Sequence, residues 1–187
     1  MEVRRTGVPA AQDEVALANA IVRYFAEGLQ ERFERNVCEE RRDNAFTWSA
    51  LVGEIERSGD LVVNICKAAR RLYGRTFDPK LRGLMTRMSA EAQQLMRRAL
   101  DAYVEGDAPL AAAMDDMDDL LDQLHDDFIQ AIFESHSSGR LDLQAAVQLA
   151  VVGRFYERIG DHAVNIAERV HYMVTGGHPS GKATDDD

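Results

Sequence analysis

The sequence predicts an all-α fold, and three observations support this prediction. Apolar residues recur at intervals of three and four through most of the 187 residues, which is the spacing of one buried helix face. No segment shows the alternation with a period of two that is typical of a half-buried strand. Only 4 prolines and 13 glycines interrupt the chain, so we expect long antiparallel helices joined by short turns.

Two helices are predicted within the first 75 residues. Residues 1–12 lack periodicity and are expected to form a flexible N-terminus that ends at Asp13, a suitable N-cap. The next segment, residues 13–38, has one apolar stripe, formed by Val15, Ala18, Val22, Phe25, Leu29 and Phe33. A second helical run extends from about residue 45 to residue 73 and ends at a turn that begins with Gly74.

Three further helices are predicted before the C-terminus. The pair Asp78-Pro79 is expected to open a third helix, because aspartate accepts hydrogen bonds from free amides and proline fits the first turn. The segment 106–109, with the sequence GDAP, marks the next break. A fourth helix then reaches about residue 135 and a fifth spans about 141–175, followed by a disordered tail over residues 177–187.

The charge balance argues against one broad class of function. The 32 acidic residues outnumber the 22 lysines and arginines, which gives a net charge of −10 and a pI near 5.0. A general nucleic-acid binder needs an excess of cations for the phosphate backbone, so this chain is not expected to be one. We find no signal-peptide pattern and no apolar run of membrane-spanning length, which predicts a cytoplasmic protein without membrane insertion.

The common catalytic motifs are missing from the sequence as well. Neither the glycine-rich nucleotide-binding motifs nor the zinc-protease and serine-hydrolase motifs occur. A di-iron oxygenase would need paired Glu-x-x-His motifs, and none is present. We therefore predict that the protein is not an enzyme.

One sequence of ten residues occurs twice, at a constant offset of 101 residues. Residues 56–65 read ERSGDLVVNI and residues 157–166 read ERIGDHAVNI, so seven of the ten positions are identical. Each copy lies in the middle of a predicted long helix. The chain is therefore predicted to contain two related helical bundles.

The second copy, from Glu157 to Ala167 and preceded by Arg154, resembles the signature of the PhoU family, and residues 56–65 are similar to the family's other copy. The resemblance implies two three-helix bundles in a cytoplasmic accessory regulator of phosphate uptake. It also implies a negative regulator that links a phosphate ABC transporter to a sensor histidine kinase. Some members of the family carry multinuclear iron or zinc clusters on acidic motifs.

The resemblance weakens before residue 45, where this chain offers one helix rather than two and lacks paired aspartates. We therefore assign residues 13–75 to a first repeat that is one helix short, as in a shortened or divergent member, and residues 76–176 to a complete second repeat. The apolar stripe of residues 13–38 would then lack a covering helix. Exposed apolar surface favours self-association, so a homodimer is predicted.

Seven carboxylates are candidate metal ligands. Glu157 and Asp161 lie four residues apart, so both project from one helix face within reach of a common ion. If the fourth helix packs beside the fifth, three aspartates on the flank of the fourth helix can join Glu157 and Asp161 around an ion. The first copy of the motif has a glutamate and an aspartate at the same two positions. These are Asp115, Asp118 and Asp122 on the fourth helix, with Glu56 and Asp60 in the first copy. The ligand type suits divalent or multinuclear metal, and the resemblance favours Fe or Zn over Mn or Mg.

Other interpretations of the same residues stay open. Acidic stripes are commonly solvated helix faces, and Arg154 and Arg158 are close enough in sequence to pair with these carboxylates. His125 and His162 are more simply explained as surface or boundary histidines than as ligands. The alternative functions are a metal-buffering helical bundle without a signalling role, and a structural helical protein that binds no metal.

Overall fold

The computed structural model describes residues 45–177, and every regular element within that part of the chain is a helix. The helices are α1 (Ala45–Arg71), α2 (Pro79–Glu105), α3 (Ala108–Ala112), α4 (Met114–Ser137) and α5 (Leu143–Thr175). The predicted all-α fold is confirmed. The predicted helix over residues 13–38, the N-terminus before it and residues 178–187 of the predicted tail lie outside the described residues.

The helix ends follow the capping residues in the sequence. The Asp78 side chain accepts a hydrogen bond of 2.9 Å from the backbone amide of Lys80 at the start of α2. Gly106 and Gly176 end α2 and α5 in the left-handed conformation, with φ of 64° and 74°, which glycine adopts without steric cost. The structure differs from the prediction after Gly106, because Asp107 caps the separate short helix α3 before α4 begins.

Helix α5 is the centre of the described fold, because α1, α2 and α4 all pack against it. Arg169 of α5 reaches Glu54 near the start of α1, and Gln148 of α5 reaches Arg71 at its end, so the two helices are antiparallel. Helix α4 is antiparallel to α5 as well. The side of α5 that the three helices share is almost entirely apolar, with Ala163, Ile166, Ala167 and Val170 fully buried.

The antiparallel packing places the two copies of the repeated motif side by side. Ser58 Oγ in the first copy lies 2.9 Å from His162 Nδ1 in the second. Among residues 45–177, no helix combines the length and apolarity needed to cross a membrane. The described residues do not test the division into two repeats, the missing helix of the first repeat or the homodimer. These stay predictions.

Candidate functional site

The candidate site lies where α4 crosses the second copy of the motif on α5. Gly160 has no side chain, and the Asp118 carboxylate and the Leu121 side chain of α4 fill the space beside it. A β-carbon on Gly160 would lie 2.7 Å from Leu121 Cδ2 and closer still to Asp118 Oδ1. The glycine of the motif therefore allows a carboxylate of the neighbouring helix to be buried against the α5 backbone.

Asp118 is the most perturbed acid of this site. Its side chain is only 9% exposed, and its Oδ1 atom is buried without a hydrogen-bond partner among the described residues. Burial and, after it, the negative charges of Asp122, Asp161 and Asp115 together raise the pKa of Asp118 to about 7. Concentrated negative charge of this kind favours the binding of a proton or a metal cation.

Glu157 lies at the edge of the same site, half-buried between two basic groups. Its Oε1 atom accepts a hydrogen bond from Arg154, one turn earlier on α5. Its Oε2 atom is 3.8 Å from His125 Nδ1 on α4 and has no hydrogen-bond partner within residues 45–177. Burial lowers the pKa of His125 and so favours the neutral ring, which retains one N–H donor and one nitrogen able to bind a cation.

The structure brings five of the seven predicted ligands into one region and separates the other two. We call the five the acidic cluster: Asp115, Asp118, Asp122, Glu157 and Asp161. Glu56 and Asp60 lie on the exposed outer side of α1, away from α4. Within residues 45–177, no three Asp, Glu, His or Cys side chains converge as a ready set of metal ligands.

A second buried polar group, which the sequence analysis did not identify, joins α1 to α5. Glu54 is 2% exposed, and its Oε1 atom accepts hydrogen bonds from Arg57 at 2.6 Å and from Arg169 of α5 at 3.0 Å. Burial by itself would raise the pKa of Glu54, but the Arg57 hydrogen bond and the two guanidinium charges outweigh it and lower the pKa. Glu54 is therefore a charged acid inside the helix interface.

The structure corrects the prediction that His162 is a surface or boundary histidine, because its side chain is only 4% exposed. It is buried against α1, where Ser58 Oγ donates to the Glu54 carbonyl at 2.8 Å and lies 2.9 Å from His162 Nδ1. Burial lowers the pKa of His162. The sequence did carry a signal for this group, since Glu54 and Ser58 interrupt an otherwise apolar stripe of α1.

Comparison with known proteins finds one family and several relatives. Residues 85–170, which include the acidic cluster, match the PhoU domain. The phosphate-specific transport system accessory protein PhoU homolog 1 of Mycobacterium tuberculosis is 34% identical over 136 residues, which are 72% of this chain and 61% of the relative. The PhoU homolog of Clostridium acetobutylicum is 28% identical over 160 residues, 86% of this chain and 70% of the relative. The chain thus spans about three fifths of the length of the mycobacterial relatives that it matches.

Two solved structures have the same fold. The crystal structure of PhoU from Pseudomonas aeruginosa superposes with a TM-score of 0.66 and 24% sequence identity, covering 89% of this chain and 82% of that one. The phosphate transport system regulatory protein PhoU from Streptococcus pneumoniae gives a TM-score of 0.67 at 19% identity, covering 90% of this chain and 80% of that one. At these identities the likeness concerns the fold alone.

Proposed function

The chain contains a PhoU domain, and from this premise we propose that it is a regulatory adaptor of phosphate uptake and phosphate-starvation signalling. In this proposal the protein is cytoplasmic, contacts a phosphate ABC transporter and a sensor histidine kinase, and keeps the starvation response off when phosphate is plentiful. The observation that carries the proposal is the PhoU domain, together with relatives named as accessory proteins of phosphate transport. The role is accessory rather than enzymatic.

The exposed side of α5 offers a surface for such partners. Leu143, Val147 and Val151 form an apolar stripe along the first half of this side, and each is at least 40% exposed. The stripe continues into Arg154 and Arg158 of the repeated motif, which are exposed as well. An apolar stripe next to charged residues resembles the centre and rim of a protein interface.

The acidic cluster supports a metal-dependent form of the proposal. Its ligand atoms are carboxylate oxygens, which suit hard and borderline divalent cations. Two of them, Asp118 Oδ1 and Glu157 Oε2, are buried and have no hydrogen-bond partner in the part of the chain that the structure describes. Asp118, Asp122, Glu157 and Asp161 are the residues that would hold the metal. A bound cation would neutralise the cluster and tie α4 to α5. Fe or Zn, and less so Mn or Mg, are the metals proposed.

Gene deletion and complementation test the adaptor proposal. Deleting the gene in its source organism should switch on a phosphate-starvation reporter in phosphate-rich medium, and the wild-type gene should silence it again. An Arg154→Glu/Arg158→Glu variant should fail to silence the reporter although it folds, whereas Arg87→Glu on the exposed side of α2 should behave as wild type. A reporter that stays off in the deletion strain would contradict the proposal.

The alternative function is a metal-buffering bundle, which the acidic cluster also favours. Elemental analysis of protein purified without a metal-affinity tag tests it, with a Glu157→Gln/Asp161→Asn variant compared with the matched variant Glu56→Gln/Asp60→Asn. Stoichiometric metal that only the first variant loses would place the ion at the acidic cluster. Metal loss that leaves reporter silencing intact would favour the buffer. Metal-free wild-type protein that still silences the reporter would rule out metal in both roles.

A further inference from the structure

A small pocket lies between the end of α1 and the start of α5. Its volume is about 220 Å³, which is less than the roughly 300 Å³ at which pockets for drug-sized ligands begin. The pocket therefore suits a small ligand. It is lined by two arginines and two glutamines, together with two buried apolar residues: Arg71, Arg75, Gln144, Gln148, Leu72 and Ala145.

The polar side chains of this pocket present hydrogen-bond donors. Gln148 Oε1 accepts a hydrogen bond of 3.2 Å from Arg71, and Gln144 Oε1 accepts one of 3.5 Å from Arg75. Because each glutamine directs its oxygen to an arginine, its Nε2 amide group is left as a donor, without a partner among residues 45–177. A guanidinium group has five N–H donors and no acceptor. Such a set of donors favours an anionic ligand.

The charge of one arginine in the pocket is not neutralised by the described part of the chain. Both carboxylate oxygens of Asp142 are engaged, since Oδ1 accepts a hydrogen bond of 3.0 Å from the Ala145 amide and Oδ2 pairs with Arg75. Arg71 differs, because within residues 45–177 it contacts the neutral amide of Gln148 and forms no ion pair. The pocket thus keeps the positive charge of Arg71 for a ligand.

The chain around the pocket is basic, although the whole chain has a net charge of −10. Residues 61–77 contain four basic and no acidic residues, and residues 143–156 contain no acidic residue. The acidic cluster begins at Glu157, nine residues after Gln148, which is about 14 Å along α5 and exceeds the Debye length of about 8 Å. The local electrostatic field at the pocket therefore favours an anion.

We propose that this pocket binds a phosphate group, carried either by inorganic phosphate or by a small phosphate monoester. A single arginine can engage both oxygens of a carboxylate in a bidentate pair. Two guanidinium groups and two amide groups match the three or more oxygens of a phosphate group better. Arg71 and Gln148 bind it from one side of the pocket, and Arg75 and Gln144 bind it from the other. The proposal adds a ligand site to the fold and does not depend on the adaptor role.

Isothermal titration calorimetry of the full chain tests this site, with inorganic phosphate and, separately, glycerol 3-phosphate as the probes at constant ionic strength. The wild type should bind one of them saturably, with one molecule per chain. Arg71→Gln removes the charge that has no ion pair and should raise the Kd at least about tenfold. The matched control is Arg87→Gln on the exposed side of α2, which removes the same charge and should leave the Kd unchanged.

Gln148→Glu is a second variant, which separates anion binding from packing. It keeps an oxygen that accepts from Arg71 and adds a negative charge, so the melting temperature should stay the same or rise while the Kd rises at least about tenfold. A purely structural pocket would not lose binding in this way.

The two probes also distinguish the sources of the phosphate group. Tighter binding of inorganic phosphate would identify the free ion as the ligand, and tighter binding of glycerol 3-phosphate would identify a monoester. The absence of saturable binding of both probes up to about 10 mM would overturn the proposal. Equal Kd values for the wild type and Gln148→Glu would overturn it as well. The titration requires no transporter, kinase or metal, so its outcome is independent of the proposed function.

Discussion

The two copies of the repeated motif have seven of ten residues in common but lie in different surroundings. In α5, the motif glycine is packed against Asp118 and Leu121, and the motif glutamate faces His125. In α1, the corresponding glycine has open space among the described residues, and Glu56 and Asp60 are exposed. The comparison shows that the same motif glycine is closely packed in one copy and open in the other, and that the chemistry of the site on α5 depends on the helix that packs there.

The largest expected effect is a difference in stability between alanine variants of the two motif glycines. Gly160→Ala should lower the free energy of unfolding by about 3 kcal/mol, because the new methyl group would overlap Leu121 and Asp118. Gly59→Ala should leave it unchanged or raise it by up to about 1 kcal/mol, because alanine favours the helix and has room. Urea unfolding followed by circular dichroism measures the stability of both variants. Equal losses of unfolding free energy would contradict the difference inferred between the two glycines.

The second expected effect concerns the ion pairs that join α1 to α5 beside the two copies. Glu54→Ala should lower the free energy of unfolding by about 2 kcal/mol, because it leaves a cavity and removes the carboxylate that Arg57 and Arg169 share. Both arginines can reach water, which limits the loss. Glu168→Ala on the exposed side of α5 is the control and should have almost no effect. Equal stability of the two variants would mean that Glu54 does not stabilise the α1–α5 interface.

The third expected effect is a pH dependence that arises from Asp118, which faces the second copy of the motif. The pKa of Asp118 is higher in the folded state, about 7, than in the unfolded chain, so folding is favoured when this acid is protonated. Its ionisation therefore costs stability progressively as the pH rises from about 4 to 7, and the cost is complete above pH 7. Asp118→Asn removes this cost and should raise the free energy of unfolding at pH 8 by on the order of 1 to 2 kcal/mol.

The pH profile of the difference between the two proteins isolates Asp118 from other titrating groups. His125 and His162 have lowered pKa values, so they act in the opposite direction by reducing stability below about pH 6.5 in both proteins. Unfolding should be measured in EDTA, because a bound cation would stabilise the ionised Asp118. A stability difference that stays constant from pH 5 to pH 8 would show that Asp118 does not titrate in this range.

Within residues 45–177, the sequence by itself determined the four long helices and most of their ends. Asp78, Gly106 and Gly176 act through the backbone of their own turns, so their capping roles could be predicted without any neighbour. The division of the helical run after Gly106 was missed, because Asp107 and Pro109 were interpreted as one break rather than as the start of a short helix. The all-α fold and the family resemblance rest on the same local and periodic information.

Only the tertiary structure decided which of the acidic residues share a site. The sequence placed Glu157 and Asp161 on one side of a helix, but the packing of α4 buried Asp118 among them and left Glu56 and Asp60 apart. The apolar stripe of α1 signals that Glu54 is buried, but the sequence could not identify the partners of Glu54 and His162, since these are 115 and 104 residues away in the chain. Burial and charge proximity between helices set the pKa of these groups, and neither property is contained in the spacing along one helix.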